Sequence, residues 1–85
     1  MNLQKKYDRA IARGIGNALA LAKRNKIKLT KKEARYIALD DMFDDLPDGA
    51  YFAAMVAEGY EAEDIIECSE SINKKGFYDT REAVR

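Results

Sequence analysis

Residues 30–49 read TKKEARYIALDDMFDDLPDG, and this stretch decides the fold. Thr30 and Glu33 stand three apart, just ahead of an apolar run of helical period. That is the spacing of a capping box, in which a threonine hydroxyl and a glutamate carboxylate each satisfy a backbone N–H that the helix leaves open. It predicts a helix starting behind Thr30 and running to about Leu46. Tyr36, Leu39, Met42, Phe43 and Leu46 share one face of that helix, and Asp40, Asp41, Asp44 and Asp45 cover much of the rest. Pro47 stops it, because the proline ring disfavours helical geometry at the residue before it. Asp48 is then placed to cap a third helix, Gly49 to about Glu58.

Working outward, the same period continues on both sides. Toward the N-terminus, Leu3, Tyr7, Ala10, Ile11, Ile15, Ala18 and Ala22 form an apolar stripe, which predicts a first helix from about Asn2 to Asn25. Gly14 is expected to lie under a crossing helix, while Gly16 faces away from the stripe. Toward the C-terminus, Gly59 suits the left-handed position that ends a helix. A fourth helix follows from about Ala62 to Lys75, with Ala62, Ile65, Cys68, Ser69 and Ile72 on one face, and Gly76 ends it. Phe77 and Tyr78 are expected to fold back onto the core, and the Asp79–Glu82 spacing suggests a last helical turn. The third helix, Ala50-Tyr51-Phe52-Ala53-Ala54-Met55-Val56-Ala57, is apolar nearly all round, which predicts that it is the central buried element. No segment alternates with period two, and no Asn-Gly or Asp-Gly joins two alternating runs. The expectation is an all-α fold: a compact bundle of four helices plus a short C-terminal helical turn, one domain over residues 1–85.

The 85 residues carry 15 Lys/Arg and 15 Asp/Glu, a net charge of zero that hides a division. Residues 1–36 hold eleven Lys/Arg against Asp8 and Glu33, a balance of +9. Residues 37–85 hold four Lys/Arg against thirteen Asp/Glu, a balance of −9. At ~100° per residue, Lys5, Lys6, Arg9, Arg13, Lys23 and Arg24 fall within an arc of about 100° opposite the apolar stripe of the first helix. Ala12, Gly16 and Ala20 lie on or beside that arc. Asymmetry of this kind often marks an interaction surface; the plain alternative is that the two halves pack together and neutralise each other.

Several chemistries lack their residues. The chain has no histidine, which removes the commonest general base and the commonest zinc ligand. Cys68 stands between acidic neighbours on an apolar face, the setting of a buried structural cysteine with no reactive thiolate. One cysteine cannot form an internal disulfide, which favours a reducing compartment. Asp44 to Gly49 imitates the start of a calcium-binding loop, but Leu46 stands at its third position and Met55 at its twelfth, where ligands are needed. The glycines of Arg13-Gly14-Ile15-Gly16-Asn17 lie inside a helix and do not form a phosphate loop. No catalytic, cofactor-binding or metal-ligating residue is therefore expected, and no enzyme activity. The longest apolar run, Ala50 to Ala57, is too short to cross a bilayer, which needs about 20 helical residues. With no apolar run of signal-peptide type near Met1, the expected location is the cytoplasm.

The third and fourth helices around Gly59 resemble a helix-turn-helix in outline, but the second carries Glu61, Glu63, Asp64, Glu67 and Glu70, which phosphates repel. The stretch from Met55 through Gly59-Tyr60 also resembles a ubiquitin-associated domain. That family places Met directly before Gly, where Glu58 stands here, and no function is carried over. In size, charge and helicity the chain is similar to small phage and mobile-element proteins that disarm host enzymes, including anti-CRISPR proteins, a similarity of profile alone.

These features lead to a non-enzymatic protein-binding regulator or inhibitor acting through an acidic face, Asp40, Asp41, Asp44, Asp45, Glu63, Glu67 and Glu70. Its expected partner is a protein, such as a basic nucleic-acid-handling one. The alternatives are nucleic-acid binding through the basic face of the first helix, Lys5, Arg9, Arg13, Lys23 and Arg24, and self-assembly of oppositely charged halves into a homo-oligomer. No membrane partner is expected.

Overall fold

A computed structural model of the chain describes residues 3–79. They form four helices in the expected order: α1 (Leu3–Arg24), α2 (Lys31–Met42), α3 (Asp48–Ala57) and α4 (Ala62–Lys74). There is no strand among the described residues, and the chain is helical again from Phe77 to Asp79. The rest of the expected last turn, with Glu82, lies outside the described residues. No helix among the described residues is long and apolar enough to cross a membrane.

Of the apolar stripe of α1, Ile11, Ala18 and Ala22 are buried and Tyr7 and Ile15 partly so, while Leu3 and Ala10 are exposed, against expectation; Lys5, Lys6, Arg9, Arg13, Lys23 and Arg24 are all exposed. The helix closes on Lys26, which takes a left-handed backbone (φ 59°). The Ile27 N–H donates to the Ala22 carbonyl at 2.8 Å and the Lys26 N–H to the Lys23 carbonyl at 3.2 Å, the bond pair that satisfies terminal carbonyls. A left-handed backbone strains any residue with a Cβ. Lys26→Gly is therefore expected to stabilise the fold by about 0.5–1 kcal/mol, read as a higher urea midpoint at unchanged slope.

The capping box at α2 forms as its spacing predicts. The Glu33 N–H donates to Thr30 Oγ1 at 3.1 Å, and the Thr30 N–H donates to Glu33 Oε1 at 2.8 Å. The helix ends sooner than expected, at Met42, with Phe43 as its C-cap; Asp44, Asp45 and Leu46 form an exposed turn. The start of α3 also differs. Pro47, not Asp48, is the N-cap, and Asp48 is the first helical residue with no side-chain capping bond. Pro47 sits at φ −59° and ψ 155°, and its carbonyl accepts the Tyr51 N–H at 2.8 Å. A proline has no N–H to satisfy, so it serves at this extended flanking position without a cost.

The largest correction concerns which helix is central. The reading of α3 as the buried element fails, since Met55 is its one buried residue. The central element is α2, where Glu33, Ala34, Tyr36, Ile37, Ala38 and Leu39 are all buried. Close approach decides this. A Cβ built on Gly14 would lie 2.7 Å from the Ala38 Cβ, so α1 and α2 meet nearly backbone to backbone, with Gly14 under the crossing helix as expected. The small side chains at Ala34 and Ala38, both buried, let neighbours close around α2. Hydropathy alone ranks α3 higher; packing shape gives the place to α2. Cys68 and Ile72 of α4 and the returning Phe77 complete the core, and Tyr78 packs against it.

Candidate functional site

With α2 in the middle, α3 becomes a surface helix held from behind. Near its start, Tyr51 Oη donates to Asp40 Oδ1 of α2 at 2.6 Å, and its one hydrogen being used there, it accepts from Tyr36 Oη at 3.2 Å. Burial first, then the Asp40 carboxylate, pushes the Tyr51 phenol up, so it stays a protonated donor. Near its end, Glu58 ties three helices together. Arg35 of α2 donates through Nη2 to Glu58 Oε1 at 2.8 Å and through Nη1 to the Glu58 carbonyl at 3.0 Å, while Tyr7 Oη of α1 donates to Glu58 Oε2 at 3.1 Å. The Arg35 guanidinium also lies 5.6 Å from the centroid of the Tyr60 ring, which stands edge-on to Tyr36 at 6.1 Å. Gly59 makes the turn between them with φ 97°, and the Tyr60 N–H returns to the Met55 carbonyl at 3.1 Å.

The outward face of α3 is the result of this anchoring. Phe52, Ala53, Val56 and Ala57 are exposed and span an arc of roughly 140°, on which no side chain is polar. Phe52 is 46 % exposed and Val56 48 %. A one-turn separation places these two side by side. Carboxylates flank the crest in the chain: Asp44, Asp45 and Asp48 before it, Glu61 and Glu63 after it, all exposed.

The predicted acidic face is spread over three elements. Asp40 is half-buried and accepts from Tyr51, so it positions α3. Asp41 is exposed at the far side of α2, in a groove with Arg13, Asn17 and Met42. Asp44 and Asp45 are exposed in the turn between α2 and α3. Glu63, Glu67 and Glu70 are exposed on α4 at four- and three-residue spacing, and form one stripe with Ile66, itself 58 % exposed.

The two charged halves do meet, though narrowly. Lys32 pairs with Asp64 at 2.6 Å, Arg35 with Glu58 at 2.8 Å, and Lys75 with Glu33 at 2.7 Å. All three pairs run through the N-terminal half of α2. Among the described residues, Lys5, Arg9, Arg13, Lys23 and Arg24 make no ion pair. The basic arc of α1 is thus not consumed by the acidic half.

Glu33 is a residue whose weight the sequence understates. Its carboxylate is buried, and burial alone would raise its pKa. Hydrogen bonds from Lys75 (2.7 Å), Ser71 and the Thr30 N–H, together with the Lys75 charge, outweigh burial and hold it at about 2. Cys68 lies beside this network, free and buried, and burial pushes its thiol up. The described residues include no group of three or more His, Cys, Asp or Glu arranged to hold a metal ion.

Phe52 and Val56 had one signal available in the sequence. A helix apolar on all sides needs neighbours on all sides, and three other helices of this length cannot supply them. No protein-family model matches the chain, and no curated protein and no solved structure is significantly similar to it.

Proposed function

We propose that this chain is a small, non-enzymatic protein-binding regulator or inhibitor that docks through the outward face of α3 and the carboxylates around it. The observation that carries the reading is the wholly apolar arc of Phe52, Ala53, Val56 and Ala57 on a helix pinned at both ends by partly buried polar contacts. Protein interfaces draw most of their energy from a few aromatic or aliphatic anchors presented rigidly, with a polar rim around them. Phe52 and Val56 supply such anchors, and Asp44, Asp45, Asp48, Glu61 and Glu63 supply a rim of one sign. The complementary partner is a protein whose apolar groove is bordered by Lys and Arg, the surface chemistry of nucleic-acid-handling proteins. The acidic rim speeds encounter with such a surface and the apolar crest sets the lifetime of the complex.

The test uses two variants in affinity capture from the native host. Phe52→Asp with Val56→Asp is expected to abolish capture while changing stability by no more than about 1 kcal/mol, since both side chains are half-exposed. Asp44→Asn with Asp45→Asn is expected to slow association and flatten its salt dependence, with dissociation little changed. A partner retained in full by the Phe52/Val56 variant would remove α3 from the reading.

A further inference from the structure

The basic arc of α1 is a second surface, and its composition differs from the crest of α3. Lys5, Arg9, Arg13, Lys23 and Arg24 are exposed and unpaired among the described residues, while Ile11, Ala18 and Ala22 on the opposite side face the bundle. Helix α2 packs against the apolar side of α1, and Asp41 of α2 shares a groove with Arg13 at the edge of the arc. Between its two groups of cations lie Gly16 and Ala20, and nothing stands within 4 Å of a Cβ built on Gly16. The arc therefore offers charge and a low, open floor, with no aromatic or branched aliphatic side chain to anchor a protein interface. Binding to phosphates needs no such anchor, only cations and close approach.

We infer that the outward face of α1 binds the phosphate backbone of a nucleic-acid duplex without reading its sequence. Arg13 and Lys23 are ten residues apart, about 15 Å along the helix. The major groove of duplex DNA is about 12 Å wide. A helix laid across it sets one cation group on each phosphate wall, with Gly16 and Ala20 over the gap. This inference is independent of the α3 reading: it uses other residues, on another helix.

The experiment is fluorescence polarisation with a mixed-sequence DNA duplex, a mixed-sequence RNA duplex and polyglutamate as competing probes, over a salt series. Five phosphate contacts predict a roughly 10²–10³-fold loss of duplex affinity between 50 and 200 mM salt. Arg9→Ala, Arg13→Ala and Lys23→Ala combined are expected to reduce the salt slope by about three, with an unchanged urea midpoint as the check on folding. Tighter binding of the DNA or of the RNA duplex names which backbone geometry the face fits, and either supports the inference. The Phe52→Asp, Val56→Asp variant is expected to bind duplex like the parent, which keeps failure of the α3 reading distinct. Three results overturn the inference: no duplex binding at 50 mM salt, a slope that the triple variant leaves unmoved, or polyglutamate held tighter than both duplexes, which assigns the arc to an acidic protein.

Discussion

Glu33→Ala is expected to lower the unfolding free energy at neutral pH by about 3 kcal/mol, a large share of the ~4–13 kcal/mol typical for a chain of this length. The loss has three sources. The Thr30 N–H at the start of α2 loses its acceptor, the Ser71 hydroxyl loses its partner between α2 and α4, and Lys75 is left without its counter-charge. The same network sets a pH dependence whose sign follows from the pKa. Glu33 has the ordinary glutamate pKa of 4.5 when unfolded and is held at about 2 when folded. A group with a depressed folded pKa contributes stability that is present above the unfolded value and lost as pH falls toward the folded one. The contribution is therefore whole above about pH 5 and gone near pH 2, and its span of about 3 kcal/mol agrees with the mutational figure. Urea denaturation of the parent and of Glu33→Ala at several pH values is the check. The two stabilities should converge between pH 5 and pH 2, and a constant gap across that range would mean that Glu33 acts by packing alone.

Gly14→Val is expected to cost about 3 kcal/mol, the upper part of the range for overpacking a filled interior. Ala38 Cβ would stand 2.7 Å from the new Cβ and its Cα 3.2 Å away, and neither atom belongs to a flexible side chain that could swing aside. The milder Gly14→Ala should also destabilise, despite the ~1 kcal/mol that alanine gains over glycine in helix propensity. Gly16→Ala isolates that propensity, because its Cβ meets nothing within 4 Å, and it should stabilise by up to ~1 kcal/mol. Combining Gly14→Ala with Ala38→Gly should recover part of the loss, the coupling expected of two residues in direct contact. Chemical denaturation of the four variants decides it. Equal effects at positions 14 and 16 would mean that α1 and α2 do not cross at Gly14.

Signals confined to a few neighbouring residues were legible from the sequence. The Thr30–Glu33 box, the left-handed Gly59 and the helix end at Gly76 are each fixed by one turn of chain, and each stands in the structure as its spacing implies, while the apolar stripe of α1 holds at Ile11, Ala18 and Ala22 but not at Leu3 or Ala10. The misreadings arise where two elements compete. Pro47 and Asp48 both suit a helix start, and an extended proline whose carbonyl accepts the Tyr51 N–H displaced the aspartate from the cap. Helix α3 outranks α2 in hydropathy, yet α2 holds the interior, because Gly14 and Ala38 allow a contact that no composition records. The candidate crest follows from that exchange: once α2 is surrounded, Phe52 and Val56 are left facing outward. The charge division was visible as a sum, while its partial neutralisation through Lys32, Arg35 and Lys75 depends on which helices touch.

Amide chemical-shift mapping with a short amphipathic helical peptide, leucine on one face and lysine on the other, tests the α3 surface most directly. The account predicts saturable shifts centred on Phe52, Ala53, Val56 and Ala57, absent from the Phe52→Asp, Val56→Asp variant and absent when serine replaces the peptide's leucines. Shifts confined to Glu63, Glu67 and Glu70 with α3 silent, or equal binding by the serine peptide, would show attraction by charge alone and contradict the assignment of the crest as the docking site.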